Sequence, residues 1–263
     1  MKKSAHITQA NGEQKMTNFG YTRIPENEKM DRVLNHFDTV AHRYDFMNSV
    51  LSFGIHYLWK RTAVKMVALK KGDWVIDVCG GTGDLCLLAA RTVRPSGRVM
   101  LYDINWSMIK RGRPKIRRSA SGDCISIIQG DAEKISFRDA CFDAAMVGFG
   151  IRNLTRMEAG FSEMYRILKP GGRLMCLEFS KPTAPLFRWL YDFYSFHIMP
   201  LLGWLFVGAK EAYTYLPESI RMFQSAHEIT AILKRIGFNQ VFHKRLTNGI
   251  AVIHVAIKGG SPK

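Results

Sequence analysis

The residues best suited to chemistry in this chain surround a glycine-rich turn that follows an apolar run. The run at 74–78 contains a carboxylate, Asp77, and a second apolar run ends in Asp103, twenty residues beyond the turn. The turn itself consists of Gly80, Gly81, Thr82 and Gly83. Turns of this kind let a nucleoside approach bare backbone, and an acid at this distance accepts hydrogen bonds from two ribose hydroxyls. The spacing therefore predicts a nucleoside site.

Two acids beside the turn indicate which nucleoside fits. A dinucleotide site uses Gly-x-Gly-x-x-Gly or Ala, with phosphate oxygens at the helix N-terminus. Gly81 and Gly83 fit that pattern, but its third position holds the bulkier Cys86. Asp77 and Asp84 would repel a pyrophosphate and attract a ligand that carries an amino group and a sulfonium. We therefore predict S-adenosylmethionine as the ligand, with NAD as the alternative.

Length and composition describe one globular domain with a strongly basic surface. The chain has 263 residues, of which 47% are hydrophobic and 23% charged, and these values are typical of globular domains. Its formal net charge of +16 indicates an anionic partner, either nucleic acid or an anionic membrane face. Charge alone does not distinguish between these two partners.

Cysteine and histidine usage argues against disulfides and against a metal site. The five cysteines form no Cys-x-x-Cys pair, and most lie in or beside apolar runs, as buried free thiols do. The eight histidines show no metal-ligand spacing. The N-terminus lacks the apolar core of a signal peptide. These features predict a reducing compartment, a cytoplasmic location and no bound metal.

The hydrophobic pattern changes along the chain from helices to alternating strands and helices. Residues 1–30 are polar and are predicted to form a flexible leader, followed by helices at 31–69 with a break at 52–54. Seven runs are predicted to be strands: 74–79, 98–102, 124–128, 142–148, 173–179, 240–246 and 250–257. Helical patterns lie between them, including one at 226–236. This alternation predicts a single α/β domain at 31–263, with a mostly parallel sheet covered by helices on both faces.

An aromatic segment at 181–222 interrupts this alternation. Its central part, 186–206, contains too many charged and helix-breaking residues to be a transmembrane helix. It is predicted either to add core under an insertion or to form a lid over an apolar pocket or a membrane-facing surface. The lid is the favoured interpretation, because the insertion falls where ligands bind, at the carboxyl ends of parallel strands.

Several motifs make the chain resemble the C-methyltransferases of ubiquinone and menaquinone biosynthesis, from about Thr17 to Lys258. Phe-Gly-x-Arg-Asn at 149–153 and Glu-Phe-Ser-Lys-Pro within 177–182 are the most specific matches. Other matching segments lie at 37–48, 52–56, 80–84, 103–108, 168–174, 191–196 and 215–222. The resemblance implies a class I S-adenosylmethionine-dependent methyltransferase with a Rossmann-like, mostly parallel sheet of seven strands.

The resemblance also implies where the methyl donor binds. Together with the glycine-rich turn, the implied cofactor-binding residues are Asp77, Gly80, Gly81, Thr82, Gly83, Asp103, Ile104, Asp131, Ala132 and Gly148. Of these, Thr82, Asp103 and the pair at 131–132 match the family's own pattern. Gly148 stands where the family has a serine, so a backbone contact is retained there and a hydroxyl contact is not.

The implied acceptor is the ring of a polyprenylated hydroquinol, either a benzoquinol or a naphthoquinol. A ring carbon becomes nucleophilic when a neighbouring hydroxyl, with a pKa of about 10, loses its proton. Arg152 is predicted to stabilise the resulting phenolate and, with Asn153, to hold a water that removes the proton. Tyr44 and Asp45 are further catalytic candidates. The predicted substrate-binding residues are Tyr194, His197 and Tyr213.

Two positions depart from the family pattern shortly before the motif at 215–222. Where the family has an acid and a hydroxyl, this chain has Ala209 and Ala212. If either lost side chain positions the acceptor, then the substrate or the rate differs in this protein. The departures also leave open a non-catalytic scaffold of the same fold.

Two other functions remain open on the sequence, methylation of another lipid and methylation of RNA. The basic run at 110–118 and the net charge support RNA, but no RNA-binding motif accompanies them, so no nucleic-acid partner is expected. The same charge suits peripheral attachment to an anionic membrane, where each basic residue contributes roughly 1 kcal/mol. A homodimer or a quinone-synthesis complex is a further predicted assembly.

Overall fold

The computed structural model describes residues 15–260. The strands are β1 (Met16–Phe19), β2 (Thr22–Pro25), β3 (Trp74–Val78), β4 (Arg98–Asp103), β5 (Ile125–Gln129), β6 (Phe142–Gly148), β7 (Leu168–Phe179), β8 (Phe238–Leu246) and β9 (Ala251–Lys258). The α-helices are α1 (Glu26–Val40), α2 (Tyr44–Leu51), α3 (Ile55–Val67), α4 (Asp84–Val93), α5 (Trp106–Arg118), α6 (Met157–Ile167), α7 (Pro185–Phe193), α8 (Met199–Val207), α9 (Lys210–Met222) and α10 (Ala226–Ile236). A π-helical segment, Tyr194–Ile198, joins α7 to α8.

The central sheet has seven strands in the order β5-β4-β3-β6-β7-β9-β8. Strands β3 to β7 are parallel, while β9 pairs antiparallel with both β7 and β8. The predicted mostly parallel sheet of seven strands is therefore confirmed. The strand order reverses between β3 and β6, and ligands bind at such a point, beyond the carboxyl ends of the strands.

Six of the seven predicted strands have bounds within two residues of the observed ones. The exception is the run predicted at 173–179, because β7 already begins at Leu168. Leu168 pairs with Phe142, and regular pairing resumes when Arg173 meets Ala144. The Lys-Pro-Gly-Gly segment between them forms an irregularity inside the strand and does not precede it.

The N-terminal region differs from the predicted leader at 1–30. Residues 1–14 lie outside the described residues, but β1 and β2 form an antiparallel hairpin, and α1 begins directly after it. The ring of Phe19 stacks on the ring of Tyr215 in α9, with centroids 4.2 Å apart. The hairpin has little apolar pattern of its own, and for that reason its sequence suggested a flexible leader. Its packing partner, Tyr215, is distant in the sequence.

Core side chains alternate between the two faces of the sheet. On β3, Val75 packs into the apolar cluster on one face and Ile76 into the cluster on the other. On β6, Met146 and Ala145 divide in the same way. Parallel strands covered by helices on both faces have nearly continuous apolar sequences. These strands could therefore be predicted from the sequence.

The aromatic insertion and the N-terminal helices form a third apolar cluster. Met47 and Leu51 of α2 pack there with Met199 of α8 and Tyr213 of α9. The hydroxyl of Tyr194 donates to the carbonyl oxygen of Leu51 (2.9 Å), which fixes the insertion to α2. The inner side of the insertion therefore packs against α2. Within residues 15–260, none of the helices combines the length and apolarity needed to cross a bilayer.

Stability is expected to fall as the pH drops below neutral because of His254 on β9. Its side chain is 3% exposed, and its Nε2 lies 3.0 Å from the carbonyl oxygen of Ala226. Burial lowers the pKa of His254 from 6.5 to about 4. At a pH between these two values, the imidazole of His254 binds a proton in the unfolded chain but not in the folded chain. Between about pH 7 and pH 5.5 this difference removes about 1 kcal/mol of the unfolding free energy.

His254→Gln tests this assignment by denaturant unfolding across the same pH range. Glutamine retains a donor for the carbonyl of Ala226 but does not titrate, so the dependence of the unfolding free energy on pH should become shallower. His197→Gln, on an exposed side chain, is the control and should leave the dependence unchanged. An equally steep dependence in His254→Gln contradicts the assignment.

Candidate active site

Two cavities open at the carboxyl ends of the parallel strands. The first, which we call the donor cavity, has a volume of about 460 Å³ and lies between the glycine-rich turn and α1. Six of the ten predicted cofactor-binding residues line it: Gly81, Asp103, Ile104, Asp131, Ala132 and Gly148. The structure therefore brings together residues from the carboxyl ends of four different strands, β3 to β6.

Asp103 is held in one orientation by backbone N–H groups. The N–H of Gly81 donates to its Oδ2 (2.8 Å), and the N–H of Asn105 donates to its Oδ1 (2.7 Å). Burial raises the pKa of Asp103 to about 6, although these hydrogen bonds act in the opposite direction. A carboxylate fixed in this way at the end of β4 fits the ribose hydroxyls of a nucleoside.

The other four predicted cofactor-binding residues support the turn and do not line the donor cavity. Asp77 accepts from the N–H and the thiol of Cys86 (3.1 and 3.2 Å), and burial raises its pKa to about 7. A Cβ on Gly80 would lie 3.0 Å from the carbonyl oxygen of Asp77. Gly83 has a φ of +84°, which favours glycine, and a Cβ there would lie 2.9 Å from Ile116. Thr82 is buried, and its hydroxyl faces away from the cavity.

The hydroxyl of Thr82 leads to a charged network that includes Asp45, one of the catalytic candidates. Thr82 Oγ1 donates to Asp45 Oδ1 (2.6 Å), and Lys115 Nζ donates to Asp45 Oδ2 (2.9 Å). Asp84 accepts from Lys115 (2.5 Å) and Lys60 (2.6 Å). Burial tends to raise the pKa of Asp84, but the two lysines outweigh it and hold that pKa well below its usual range. The prediction of a catalytic Asp45 is not supported, because its carboxylate fixes α2 to the turn and lines neither cavity.

The second cavity, which we call the acceptor cavity, has a volume of about 330 Å³ and lies between α1, α2 and the aromatic insertion. Its wall is mostly apolar and aromatic. Four of the predicted catalytic and substrate-binding residues line it: Tyr44, Arg152, Tyr194 and Tyr213. An apolar, largely aromatic space of this kind fits a planar ring that carries an apolar chain.

The two cavities share part of their walls. Phe37, Tyr44 and Phe149 line both of them, so the two cavities adjoin at these three side chains. Burial raises the pKa of the Tyr44 hydroxyl, which therefore stays protonated at neutral pH. This junction is where group transfer between two bound molecules would take place.

Arg152 is a buried cation in the wall of the acceptor cavity. Its side chain is 6% exposed, and its Nη1 donates to Glu178 Oε1 (2.7 Å) and to the carbonyl oxygen of Phe149 (2.8 Å). The guanidinium also lies 5.4 Å from the ring centroid of Phe179. Its acidic partner is itself buried, so this pair is not a surface salt bridge. A guanidinium carries a permanent positive charge in proteins, so Arg152 brings a cation to this apolar wall.

Comparison with known proteins assigns the chain to a family. The sequence profile of the ubiE/COQ5 methyltransferase family matches residues 25–258. The chain belongs to this family. It is 44% identical over 242 residues to the ubiquinone/menaquinone biosynthesis C-methyltransferase UbiE of Pseudomonas paraeruginosa, covering 92% of this chain and 94% of that protein. The protein of the same name from Pseudomonas putida is 45% identical over an equal length.

Membership in the ubiE/COQ5 methyltransferase family defines the reaction. The chain is an S-adenosylmethionine-dependent C-methyltransferase of ubiquinone and menaquinone biosynthesis. A crystal structure of an S-adenosylmethionine-dependent methyltransferase from Aquifex aeolicus shares the fold alone, with 18% identity and a TM-score of 0.55 over 75% of this chain and 88% of that one. The predicted family, fold and methyl donor are confirmed, and the alternative of NAD is wrong.

Besides Asp45, two predicted residues of the ubiE/COQ5-type site lie outside the acceptor cavity. Asn153 lines the donor cavity, and its Oδ1 accepts from the hydroxyl of Tyr215 (3.0 Å). Arg152 and Asn153 therefore face different cavities, which argues against one water held between their side chains. His197 is exposed and packs beside Phe193, with ring centroids 5.1 Å apart. The π-helical segment has more residues per turn than an α-helix, so His197 does not share the inward face of Tyr194.

The two departures from the family pattern are both buried. Ala212 lines the acceptor cavity, and Ala209 packs in the apolar cluster with Tyr213. The cavity wall is therefore apolar at Ala212, where the family has a hydroxyl. Ala209 and Ala212 thus replace polar side chains with methyl groups, and neither fills the acceptor cavity.

Sequence reasoning missed three residues near Arg152. His36 and Tyr215 line the acceptor cavity, and their rings meet edge to face with centroids 4.8 Å apart. Burial and the charge of Arg152 lower the pKa of His36 to about 4, so its imidazole is neutral at pH 7. Glu178 lies behind Arg152. Tyr215 and Glu178 lie inside motifs that match the family, and this was the sequence signal that could have identified them. His36 lies one residue before such a motif and had no other signal.

A metal site was not predicted, and the described part of the chain contains no group of three or more His, Cys, Asp or Glu side chains that could hold a metal ion. The five cysteines are free thiols, three of them buried. Burial raises the pKa of the Cys79 thiol beside the donor cavity well above its usual value. This thiol is therefore protonated and a poor nucleophile at neutral pH.

Proposed function

We propose that this enzyme methylates a ring carbon of a polyprenylated hydroquinol, either a benzoquinol or a naphthoquinol. The observation that supports this most is the junction of the donor and acceptor cavities at Tyr44, with Arg152 in the apolar wall beyond it. A hydroquinol ring with an apolar chain suits that wall. The names of the related proteins, which place them in ubiquinone and menaquinone biosynthesis, support the same class of acceptor.

The donor cavity contains groups that fit S-adenosylmethionine. Asp103 would accept hydrogen bonds from the ribose hydroxyls, while Asp131 and Ala132 follow the neighbouring strand and border the same space. Gly148 offers only backbone. The four turn-supporting residues described above act indirectly, by keeping Gly81 close to the ligand. When bound, S-adenosylmethionine supplies an electrophilic methyl group on a positively charged sulfur.

The acceptor cavity contains the group that activates the acceptor. A hydroquinol hydroxyl has a pKa of about 10, so formation of the phenolate needs a nearby positive charge. Arg152 provides that charge from a mostly apolar wall, where electrostatic interactions are stronger than in bulk solvent. The aromatic residues around it hold the ring near the junction, which lowers the entropic part of the barrier. The reaction releases one proton for each methyl group transferred.

Quinone analysis by mass spectrometry after deletion of the gene tests the proposed acceptor. Accumulation of a quinone that lacks one ring methyl group is expected, and its ring system identifies the natural acceptor. Restoring the gene should restore the methylated quinone, whereas a gene with Arg152→Gln should not. An unchanged quinone pool in the deletion strain contradicts the proposed acceptor.

Peripheral attachment to an anionic membrane is a second part of this proposal. The outer side of the lid at 181–222 exposes several large apolar side chains, among them Trp189 (64% exposed) and Trp204 (59% exposed). Its inner side borders the acceptor cavity. The net charge of +16 would attract an anionic surface. A lid that rests on the bilayer would let an apolar acceptor enter without crossing water.

Liposome flotation tests the attachment with the double variant Trp189→Gln/Trp204→Gln. Loss of two interfacial tryptophans should weaken binding to anionic vesicles about ten-fold or more. The KM for long-chain hydroquinols should rise, while the KM for short-chain analogues should not. Trp74→Gln is the matched control, since Trp74 is 47% exposed at the amino end of β3, away from the lid.

The same preparations give the outcomes that would contradict membrane attachment. Equal flotation of the double variant and the control would show that the lid does not contact lipid. An RNA gel shift at physiological salt, combined with no flotation of the unmodified protein, would favour nucleic acid as the anionic partner. We expect flotation and no gel shift.

A further inference from the structure

A buried carboxylate behind Arg152 has no role in the reaction described so far. Glu178, next to the last residue of β7, is 3% exposed and does not line the acceptor cavity. Its Oε1 accepts from Arg152 Nη1 (2.7 Å) and from the backbone N–H of Phe179 (2.8 Å). Its Oε2 accepts a longer hydrogen bond from the backbone N–H of Arg152 (3.4 Å). The carboxylate thus contacts both the backbone and the side chain of the same arginine.

The donors of the Arg152 guanidinium are divided between the protein and the cavity. Nη1 donates to Glu178 and to the carbonyl oxygen of Phe149, and Nε donates to Ser219 Oγ (3.3 Å). Within residues 15–260, no protein group accepts a hydrogen bond from Nη2. Because Arg152 lines the acceptor cavity, the two N–H groups of Nη2 are the donors left for a bound molecule.

We propose that Glu178 is a positioning residue that holds Arg152 so that Nη2 faces the acceptor hydroxyl oxygen. This inference rests on the proposed function, in which Arg152 stabilises the phenolate. An arginine side chain has several rotatable bonds, and a buried anion at a strand end restricts them to one arrangement. The opposite charge also makes burial of the guanidinium less unfavourable, since an unpaired buried charge costs far more than a paired one.

A double-mutant cycle on kcat tests the inference with Glu178→Gln, Arg152→Gln and the combination of both. If Glu178 acts through Arg152, Glu178→Gln should lower kcat about 10- to 100-fold, because a small misplacement of a catalytic group has an effect of that size. In the Arg152→Gln background the same change should alter kcat less than about two-fold, as expected for coupled residues. The affinity for S-adenosylmethionine should be unchanged in all three variants.

Glu163→Gln is the matched control for this cycle. Glu163 accepts from Arg166 Nε (2.8 Å) and from the backbone N–H of Ile135 (2.8 Å), a similar arrangement outside both cavities. Its replacement should therefore leave kcat unchanged. If the Glu178→Gln variant does not bind S-adenosylmethionine, the Glu178→Asp variant is used in its place in the cycle. A shorter carboxylate retains the charge and should still lower kcat measurably.

The outcomes separate this inference from the proposed function. If Arg152→Gln alone retains full kcat, the role of Arg152 in the proposed function is wrong. If Arg152→Gln loses activity but Glu178→Gln does not, only the positioning role of Glu178 is overturned. A Glu178→Gln effect of equal size in both backgrounds also overturns it, because the carboxylate would then act independently of Arg152.

Discussion

Arg152→Gln is expected to lower kcat by about 10²- to 10³-fold, the size of effect found when one preorganised donor to a developing negative charge is removed. The guanidinium lies in the apolar wall of the acceptor cavity. The other cation lining this cavity in the described part of the chain is Lys60 of α3, which donates to Asp84 (2.6 Å). Steady-state assays with a soluble short-chain hydroquinol measure kcat. The affinity for S-adenosylmethionine, measured by calorimetry, should change little.

Arg173→Gln provides the control for this first prediction. Arg173 lies at the other end of the parallel sheet, where its Nη1 donates to the carbonyl oxygens of Val67 and Ala68 (3.1 and 2.6 Å). Its loss should reduce stability somewhat and leave kcat nearly unchanged. An Arg152→Gln enzyme that turns over at the normal rate, with Arg173→Gln equally active, would contradict the proposed stabilisation of the phenolate.

Asp103→Asn is expected to weaken the binding of S-adenosylmethionine by about 10- to 100-fold. Hydrogen bonds to a charged group contribute about 1.5–3 kcal/mol, and asparagine turns one of two acceptor oxygens into a donor. That new donor would also face an N–H of Gly81 or Asn105. Calorimetric titration of the purified variant with S-adenosylmethionine gives the affinity directly.

The pH dependence of this affinity gives an independent check on Asp103. Because its pKa is raised to about 6, the carboxylate is ionised above that pH and becomes protonated below it. Donor affinity should therefore fall as the pH drops through about 6, and Asp103→Asn should lack that part of the fall. Asp123→Asn, on an exposed acid outside the cavities, should bind normally. Equal affinity of Asp103→Asn and the unmodified enzyme would contradict the role of Asp103.

The sheet could be predicted from the sequence because its physical cause is local. Strands covered on both faces must be apolar throughout, as at 142–148, where the prediction matches β6 residue for residue. The turn after β3 could also be predicted from the sequence, because close packing at Gly80 and Gly83 requires glycine. The hairpin β1–β2 was not readable, because it is stabilised by contacts with α9, almost two hundred residues away.

The site could be predicted only to the level of motifs. A motif shows which residues lie near a strand end, but it does not show which way each side chain points. Asp77 and Thr82 lie close to Gly81 in the sequence, but only Gly81 lines the donor cavity. Asp77 accepts from Cys86 and Thr82 donates to Asp45, so both support the turn from the side away from the cavity. His197 lies outside the acceptor cavity because the π-helical segment changes the helical phase. Glu178 was overlooked because its function depends on a partner from another strand end.

Transfer of an isotopically labelled methyl group tests the central claim most directly. The purified enzyme would be incubated with S-adenosylmethionine labelled in its methyl group and with a hydroquinol that lacks one ring methyl group, and the product would be examined by NMR and mass spectrometry. We predict that the label is bound to a ring carbon and that Arg152→Gln forms this product far more slowly. Label on a hydroxyl oxygen, or no label in the product, would contradict the account.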